Sequence, residues 1–218
     1  MIFIKLEFIG YIYDNNIVIN PYEKEEYYMQ SVDQSLQLLK DIRSIRKYKK
    51  DPVSRSILEQ IIDCGRMSPT AKNQQPWEFI IVDDKKLLTA LGEVTPHGEF
   101  LKNAPACIAV FTKTSSSYYI EDGSAATQTI LIAARLHGLK SCWIAGNQGS
   151  YDGEEIPLCE GIPCYEPKNS IPLTEEVQKI LKTPQDLQLI SIVSIGYSDE
   201  SPIVEKRPLE EVIHWNQF

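Results

Sequence analysis

Two short groups of basic residues are the most chemically suggestive feature of this sequence. One is Arg43-Ser44-Ile45-Arg46-Lys47, the other Lys206-Arg207. A guanidinium offers paired donors in a fixed plane, and a serine hydroxyl adds one more contact. Arg43, Ser44 and Arg46 therefore suit phosphate oxygens. The apolar recurrence of Val32, Leu36, Leu39 and Ile42 predicts a helix whose end carries the first group. On a helix, Arg43 and Arg46 would share a face. Two clusters far apart in sequence could then converge on one dianion. On spacing alone the plainer alternative stays open, that each is a solvated surface patch, because short basic motifs recur by chance.

Other chemistry is sparse. No G-x-G-x-x-G follows a predicted strand, and no G-x-x-x-x-G-K-[ST] occurs. His97, His137 and His214 are scattered, and no metal-ligand constellation forms. His137 sits at a predicted helix C-terminus, where a partly charged imidazole is favoured. No nucleophile, base and acid set is visible, so no catalytic side chain is assigned. Cys159 and Cys164, with Gly161 and Pro163 between them, could pair or bind a metal, but too few further ligands are in view. Trp77, after Pro76, reads as a core plug, and Tyr118 and Tyr119 read as loop.

Composition narrows the partners. The 218 residues carry a formal net charge of −8 and a pI near 5.0. Such a chain is a poor partner for nucleic acid or an anionic membrane face. Apolar runs such as Ala104–Phe111 have the length of a buried strand, far short of the roughly 20 residues that span a bilayer. Met1–Tyr13 lacks a basic start and a small-residue cleavage site, so no signal peptide is read. The five cysteines, an odd number, point to free thiols and the cytoplasm.

The elements that must hold the basic groups follow from periodicity. Val53–Arg66 is predicted as a helix from Ile57, Leu58, Ile61 and Ile62, with Ser54 or Ser56 as cap and Ser68-Pro69 as stop. A polar loop, Thr70–Gln75, leads through Pro76 into a strand at Trp77–Val82. Asp84–Leu91 is predicted as a short helix closed by Gly92, and Ala106–Phe111 as a second strand. Glu121–His137 is the strongest helix, apolar or small over much of its surface and stopped by Gly138. Strands follow at Ser141–Ala145 and Leu189–Ile195, with a helix at Thr174–Lys182 and a turn or arm at Pro208–Trp215. Asn147–Pro172, rich in glycine and proline, reads as a long surface excursion, possible as a lid. Residues 1–28 read as an N-terminal extension, with the functional domain at 29–218. Strands and helices in this mixture give one sheet with helices packed on it, α+β or α/β.

Arg-Ser-Ile-Arg-Lys-Tyr (43–48) followed by Ser-Pro-Thr-Ala-Lys-Asn-Gln-Gln-Pro-Trp-Glu-Phe (68–79) closely resembles the nitroreductase family. So do Ala-Arg-Leu-His-Gly-Leu (134–139), Ser-Cys-Trp-Ile (141–144) and Arg-Pro-Leu-Glu-Glu-Val-Ile-His-Trp (207–215). The match runs from about Leu36 to the C-terminus, apart from 147–172. The resemblance implies an α+β three-layer sandwich, its central sheet mixed but mainly antiparallel, in an intertwined homodimer. It implies FMN as cofactor, NADH or NADPH as co-substrate, and ping-pong hydride transfer through flavin N5 to small acceptors such as nitroaromatics or quinones. Arg43, Ser44 and Arg46 match the segment that holds the FMN phosphate and reaches the pyrimidine edge. There Arg46 is a candidate for tuning the flavin. Thr70, Asn73 and Gln75 match a loop that touches flavin and ribityl chain, in part from the partner subunit. Ala145 and Gly146 match the backbone near N5, and Lys206 and Arg207 the C-terminal basic pair on the phosphate. A flavin store or sensor without turnover, or a specialised relative such as a flavin reductase or dehalogenase, are the alternatives. The loop after Gly146 is about twenty residues longer than is common in the family, and substrate choice varies in such segments.

Overall fold

The structure, a computed structural model, describes residues 21–146 and 172–218. Expectations for residues 1–20 and 147–171, including Cys159 and Cys164, lie outside the described residues. The chain divides into two compact units at Asp41 and Ile42.

The first unit, as described, is helix α1 (Pro21–Lys40). Proline suits a first helical position, since its fixed φ is helical and its missing N–H would have gone unpaired. The apolar pattern placed the start of the helix at Met29. The helix begins earlier because Glu, Lys, Met and Gln favour helix without supplying an apolar stripe.

The second unit is an α+β fold in three layers. Its sheet consists of β1 (Trp77–Val82), β2 (Ala106–Lys113), β3 (Lys140–Ala145) and β4 (Leu187–Gly196). The spatial order is β1-β2-β4-β3, with every adjacent pair antiparallel. One parallel bridge, Ser44 to Ser141, adds to the outer edge of β3. The central strand β2 is buried at seven of its eight residues and reads as a continuous apolar run. Ala106, Ile108 and Val110 join a core with Leu58, Ile61, Ile130 and Ala134 of helices α2 (Arg55–Gly65) and α4 (Tyr119–Leu136). Cys107, Ala109 and Phe111 join a second core with Leu88, Leu91 and Val177 of helices α3 (Lys85–Val94) and α5 (Leu173–Leu181). Alternation at period two is what lets one strand serve both cores.

Two local features are not evident from periodicity. The β2–β4 register slips between Val110 and Phe111, which pair with Ser191 and Leu189. The extra residue is Ile190, and this bulge lets it enter the α2/α4 core while Leu189 enters the other. Helix α3 runs through Gly92 rather than stopping there. Gly92 is packed against the chain that follows: a Cβ would lie 3.2 Å from the Gly98 carbonyl oxygen. The helix starts as expected, with the Asp84 carboxylate accepting from the N–H groups of Lys86 and Leu87, each at 2.9 Å. Helix α4 ends at a left-handed Gly138, φ 73°.

After Gly196 the chain forms no further strand. A single 3₁₀ turn, Leu209–Glu211, interrupts it, and Ile203, Leu209, Trp215 and Phe218 are largely exposed. Among the described residues no helix is long and apolar enough to cross a membrane.

Ile130 is fully buried at the α2/α4 contact. Ile130→Ala is expected to cost about 2–5 kcal/mol, read as a lowered urea midpoint at fixed protein concentration with an unchanged slope.

Candidate functional site

The segment that follows α1 carries the first basic group, and it is not helical. Helix α1 ends at Lys40, and residues 42–48 form a non-helical strap that meets β3 at Ser141 and the end of β4 at Ser194. The helical placement of Arg43 and Arg46 is therefore corrected. The strap's burial alternates as a strand's does: Ser44 exposed, Ile45 1% accessible, Arg46 exposed. Extended backbone puts Ser44 and Arg46 on one side and Ile45 on the other. The reason is tertiary: the Ile45 N–H donates to the Ser141 carbonyl at 3.0 Å, so the strap takes up an edge of β3 that would otherwise be open.

Several bonds fasten the strap beyond Ile45. The Tyr48 hydroxyl donates to the Ile45 carbonyl at 2.6 Å and meets Ser194 Oγ at 2.6 Å. Burial pushes the Tyr48 phenol well above its ordinary range, so it stays a donor. The Lys49 N–H donates to the Tyr197 carbonyl at 2.8 Å, and Ser198 Oγ donates to the Lys47 carbonyl at 2.5 Å. Glu200 makes the most informative contact. Its carboxylate accepts from the backbone N–H groups of Arg46, at 2.8 Å, and Lys47, at 3.1 Å. Those bonds, the Arg46 one foremost, hold the Glu200 carboxyl below the usual glutamate range.

Around this strap the side chains make a polar, cationic face. Arg43 Nη1 donates to the Ile42 carbonyl at 2.8 Å. The Arg46 guanidinium lies 5.9 Å from the centre of the Phe100 ring, a cation–π spacing. Ser44 bonds the Cys142 thiol; burial pushes that thiol up, and nearby Arg46 pulls it down. Lys206 and Arg207 are exposed six and seven residues beyond Glu200. Glu200 thus ties the strap to the start of the segment that bears the second basic group.

The remaining expected residues sit at the other end of the sheet. Gly146 ends β3, its N–H donating to the Ile190 carbonyl at 2.9 Å. Here glycine is required: a Cβ would come 2.4 Å from Leu189 Cγ and 3.1 Å from the Ile190 carbonyl carbon. Ala145 pairs with Ser191 in the register of β3. Ser141 to Gly146 is five residues, about 17 Å of strand.

Thr70–Gln75 lies before β1, on the far edge of the sheet. Three of its residues have left-handed backbone: Lys72 (φ 52°), Asn73 (φ 54°) and Gln75 (φ 49°). Such conformations cost of order 1 kcal/mol each for non-glycine residues and cluster at functional sites. The loop is held from within and from α4. Thr70 Oγ1 accepts from the Gln75 N–H at 3.1 Å. Ser116 Oγ donates to Gln74 Oε1 at 3.0 Å. Ser68 Oγ and Thr129 Oγ1 are 2.7 Å apart. Asp122, 5% accessible in the first turns of α4, accepts from the Ala71 N–H through Oδ1 at 3.0 Å.

Three residues of this arrangement escape sequence reasoning: Phe100, Asp122 and Glu200. Asp122 stands beside Glu121 at the start of α4, and nothing in the sequence separates the two.

Comparison with known proteins agrees with this picture. The model of the "Nitroreductase family" matches residues 39–96. An FMN-dependent nitroreductase from Clostridium difficile R20291 superposes with a TM-score of 0.70 at 33% identity, covering 83% of this chain and 98% of that one. An NADH dehydrogenase of Thermus thermophilus is 28% identical, covering 79% of this chain and 91% of its own length. An iodotyrosine deiodinase of Thermotoga neapolitana is also 28% identical, over 83% of this chain and 97% of its own.

Two measurements check the fastenings. Because the folded Glu200 carboxyl titrates below its ordinary value near 4.5, its contribution is complete above that value and lost as pH falls below it. Amide protection at Arg46 and Lys47 is expected to fade over that window, and Glu200→Gln to abolish the pH dependence. Asp122→Ala, which orphans the Ala71 N–H, is expected to cost about 1–3 kcal/mol and to free that amide to exchange. Asp122→Asn keeps an acceptor oxygen and should cost less.

Proposed function

Because this chain belongs to the nitroreductase family, we propose that it binds FMN between two copies of itself and uses NAD(P)H to reduce small oxidised acceptors. The observation that carries the reading is the strap. It presents Ser44 and Arg46 from one side of a backbone fixed to the sheet, with Arg43 beside them, in a chain whose net charge is −8. A donor set of guanidinium and hydroxyl groups on rigid backbone fits a phosphate dianion, and Lys206 and Arg207 would complete its neutralisation.

When bound, FMN supplies an N5 position that takes up hydride and passes reducing equivalents on to the second substrate. The protein's part is to bind and orient. Gly146, packed against Leu189 and Ile190 where a Cβ would not fit, would hold the end of β3 beside the flavin ring. Arg46 would stabilise negative charge on the pyrimidine side, while Phe100 limits where its guanidinium can go. Thr70, Asn73 and Gln75 stand three strands from β3, about 14 Å at roughly 4.8 Å per strand. That separation supports their serving the flavin of the partner copy, so that both sites depend on the dimer. The exposed apolar side chains of the C-terminal arm, Ile203, Leu209, Trp215 and Phe218, suit burial against that partner. Free Cys64, Cys107 and Cys142 accord with a reducing compartment such as the cytoplasm.

A second reading has a specific observation behind it. Two relatives are named iodotyrosine deiodinase, one of them matched over 97% of its length. Reductive removal of iodide from an aromatic ring would use the same flavin and the same binding residues with a different acceptor.

The purified protein is expected to be yellow and dimeric, and its flavin absorbance to bleach under argon when NADH or NADPH is added. Reoxidation with a quinone, a nitroaromatic or an iodotyrosine then separates the two readings. Arg43→Ala and Arg46→Ala should each weaken FMN binding about 10- to 100-fold, the range for losing a hydrogen bond to a charged group. Colourless protein that refuses added FMN would end the proposal.

A further inference from the structure

A second concave surface begins where the strap ends. It is an open cleft of about 750 Å³ between residues 46–50, the start of α3 and the turn before β2. Its lining includes five cations, Arg46, Lys47, Lys49, Lys50 and Lys85, and one carboxylate, Asp83. The carboxylate is already engaged, with Arg55 Nε at 3.1 Å. Lys49 is held by Asp199 at 2.6 Å, and Lys85 Nζ donates to the Lys102 carbonyl. Two of the four ammonium groups are therefore anchored rather than loose. Leu88, Ala104 and Pro105 give the cleft apolar wall, and Asn103 an amide.

This combination has a definite ligand chemistry. Positive charge gathered in a concavity on an acidic protein raises the local concentration of anions. The volume falls within the range of about 300–1,000 Å³ typical of small-molecule sites, which pair apolar wall with a few placed polar groups. Apolar wall beside a cationic rim suits a phosphorylated nucleoside. The cleft shares Arg46 with the proposed flavin site, so the two adjoin.

Resting on the proposed use of a nicotinamide co-substrate, we infer that this cleft receives the phosphate-bearing adenosine end of that dinucleotide and selects NADPH over NADH. Lys50 and Lys85 supply charge to the extra ribose phosphate. The selectivity is electrostatic and exposed to solvent, so it weakens as salt is added.

The test uses FMN-loaded protein and the double variant Lys50→Gln/Lys85→Gln. Titration calorimetry with NADP⁺ and NAD⁺ reads the cleft without turnover, and steady-state rates with NADPH and NADH read its consequence. The wild type is expected to bind NADP⁺ at least about tenfold more tightly than NAD⁺, and to show a similar preference in kcat/KM. The double variant should lose most of that preference through KM for NADPH, with NADH kinetics and bound FMN unchanged. Adenosine 2′,5′-bisphosphate should compete with NADP⁺. If inorganic phosphate at equal concentration competes as well, the cleft is a general anion site and the inference fails. Equal binding of the two dinucleotides, or an undiminished preference in the variant, also overturns it. If neither nicotinamide bleaches the flavin, the oxidoreductase reading fails instead, and the calorimetric comparison still decides the cleft.

Discussion

Four basic side chains, those of Arg43, Arg46, Lys47 and Lys49, crowd seven consecutive residues, and their mutual repulsion must be overcome by whatever holds the backbone between them. Exposed like charges oppose one another by a fraction of a kcal/mol per pair in water. Against this stand backbone bonds to Ser141, Tyr197 and Glu200, and hydroxyl bonds from Tyr48 and Ser198. At about 1 kcal/mol each, these bonds outweigh the repulsion. Glu200 contributes twice, since its negative charge also offsets the cations whose amides it accepts. The result is a row of cations on a fixed backbone, one of them, Lys49, paired with Asp199.

The sheet sets the distances between the working parts. Its four strands keep the strap at one end of β3 and Gly146 at the other, and they place Thr70–Gln75 on the opposite edge. The two cores make that spacing rigid, because β2 and β4 are buried on both faces. A ligand that lies along β3 would leave the Thr70–Gln75 loop of its own chain out of reach. In the proposed dimer, a second copy related by two-fold symmetry would bring its own ligand to this loop.

Much of this was legible in the sequence, and the rest was hidden for physical reasons. Ile57, Leu58, Ile61 and Ile62 give α2 outright, and the Ser54 cap accepts from the Ile57 N–H as expected. The strap misleads because Arg43 and Arg46 stand at helical spacing, while their backbone is decided by the Ser141 carbonyl, nearly a hundred residues away. Gly92 looks like a helix stop, and only the nearby Gly98 carbonyl shows why a glycine belongs inside the helix. Glu200 and Phe100 act through contacts with a segment remote in sequence, so no local pattern could mark them. The positions of Arg43, Ser44, Arg46, Lys206 and Arg207 were named from their chemistry, and those of Thr70, Asn73, Gln75, Ala145 and Gly146 from motif resemblance. Their division between two ends of the sheet was not.

Strain and fastening at the Thr70–Gln75 loop have to be weighed together. Three left-handed residues cost a few kcal/mol in all. The Thr70 hydroxyl, the Ser116–Gln74 bond and the Asp122 carboxylate return a comparable amount. The loop is thus near balance, ordered by α4 but gaining little net stability from its own geometry. A surface loop free to relax would have no reason to keep such backbone. If the loop binds flavin as proposed, holding it against α4 would spare the ligand the conformational cost of shaping it. On the proposed role in flavin binding, that advantage would offset the cost of burying the Asp122 carboxylate in the first turns of α4.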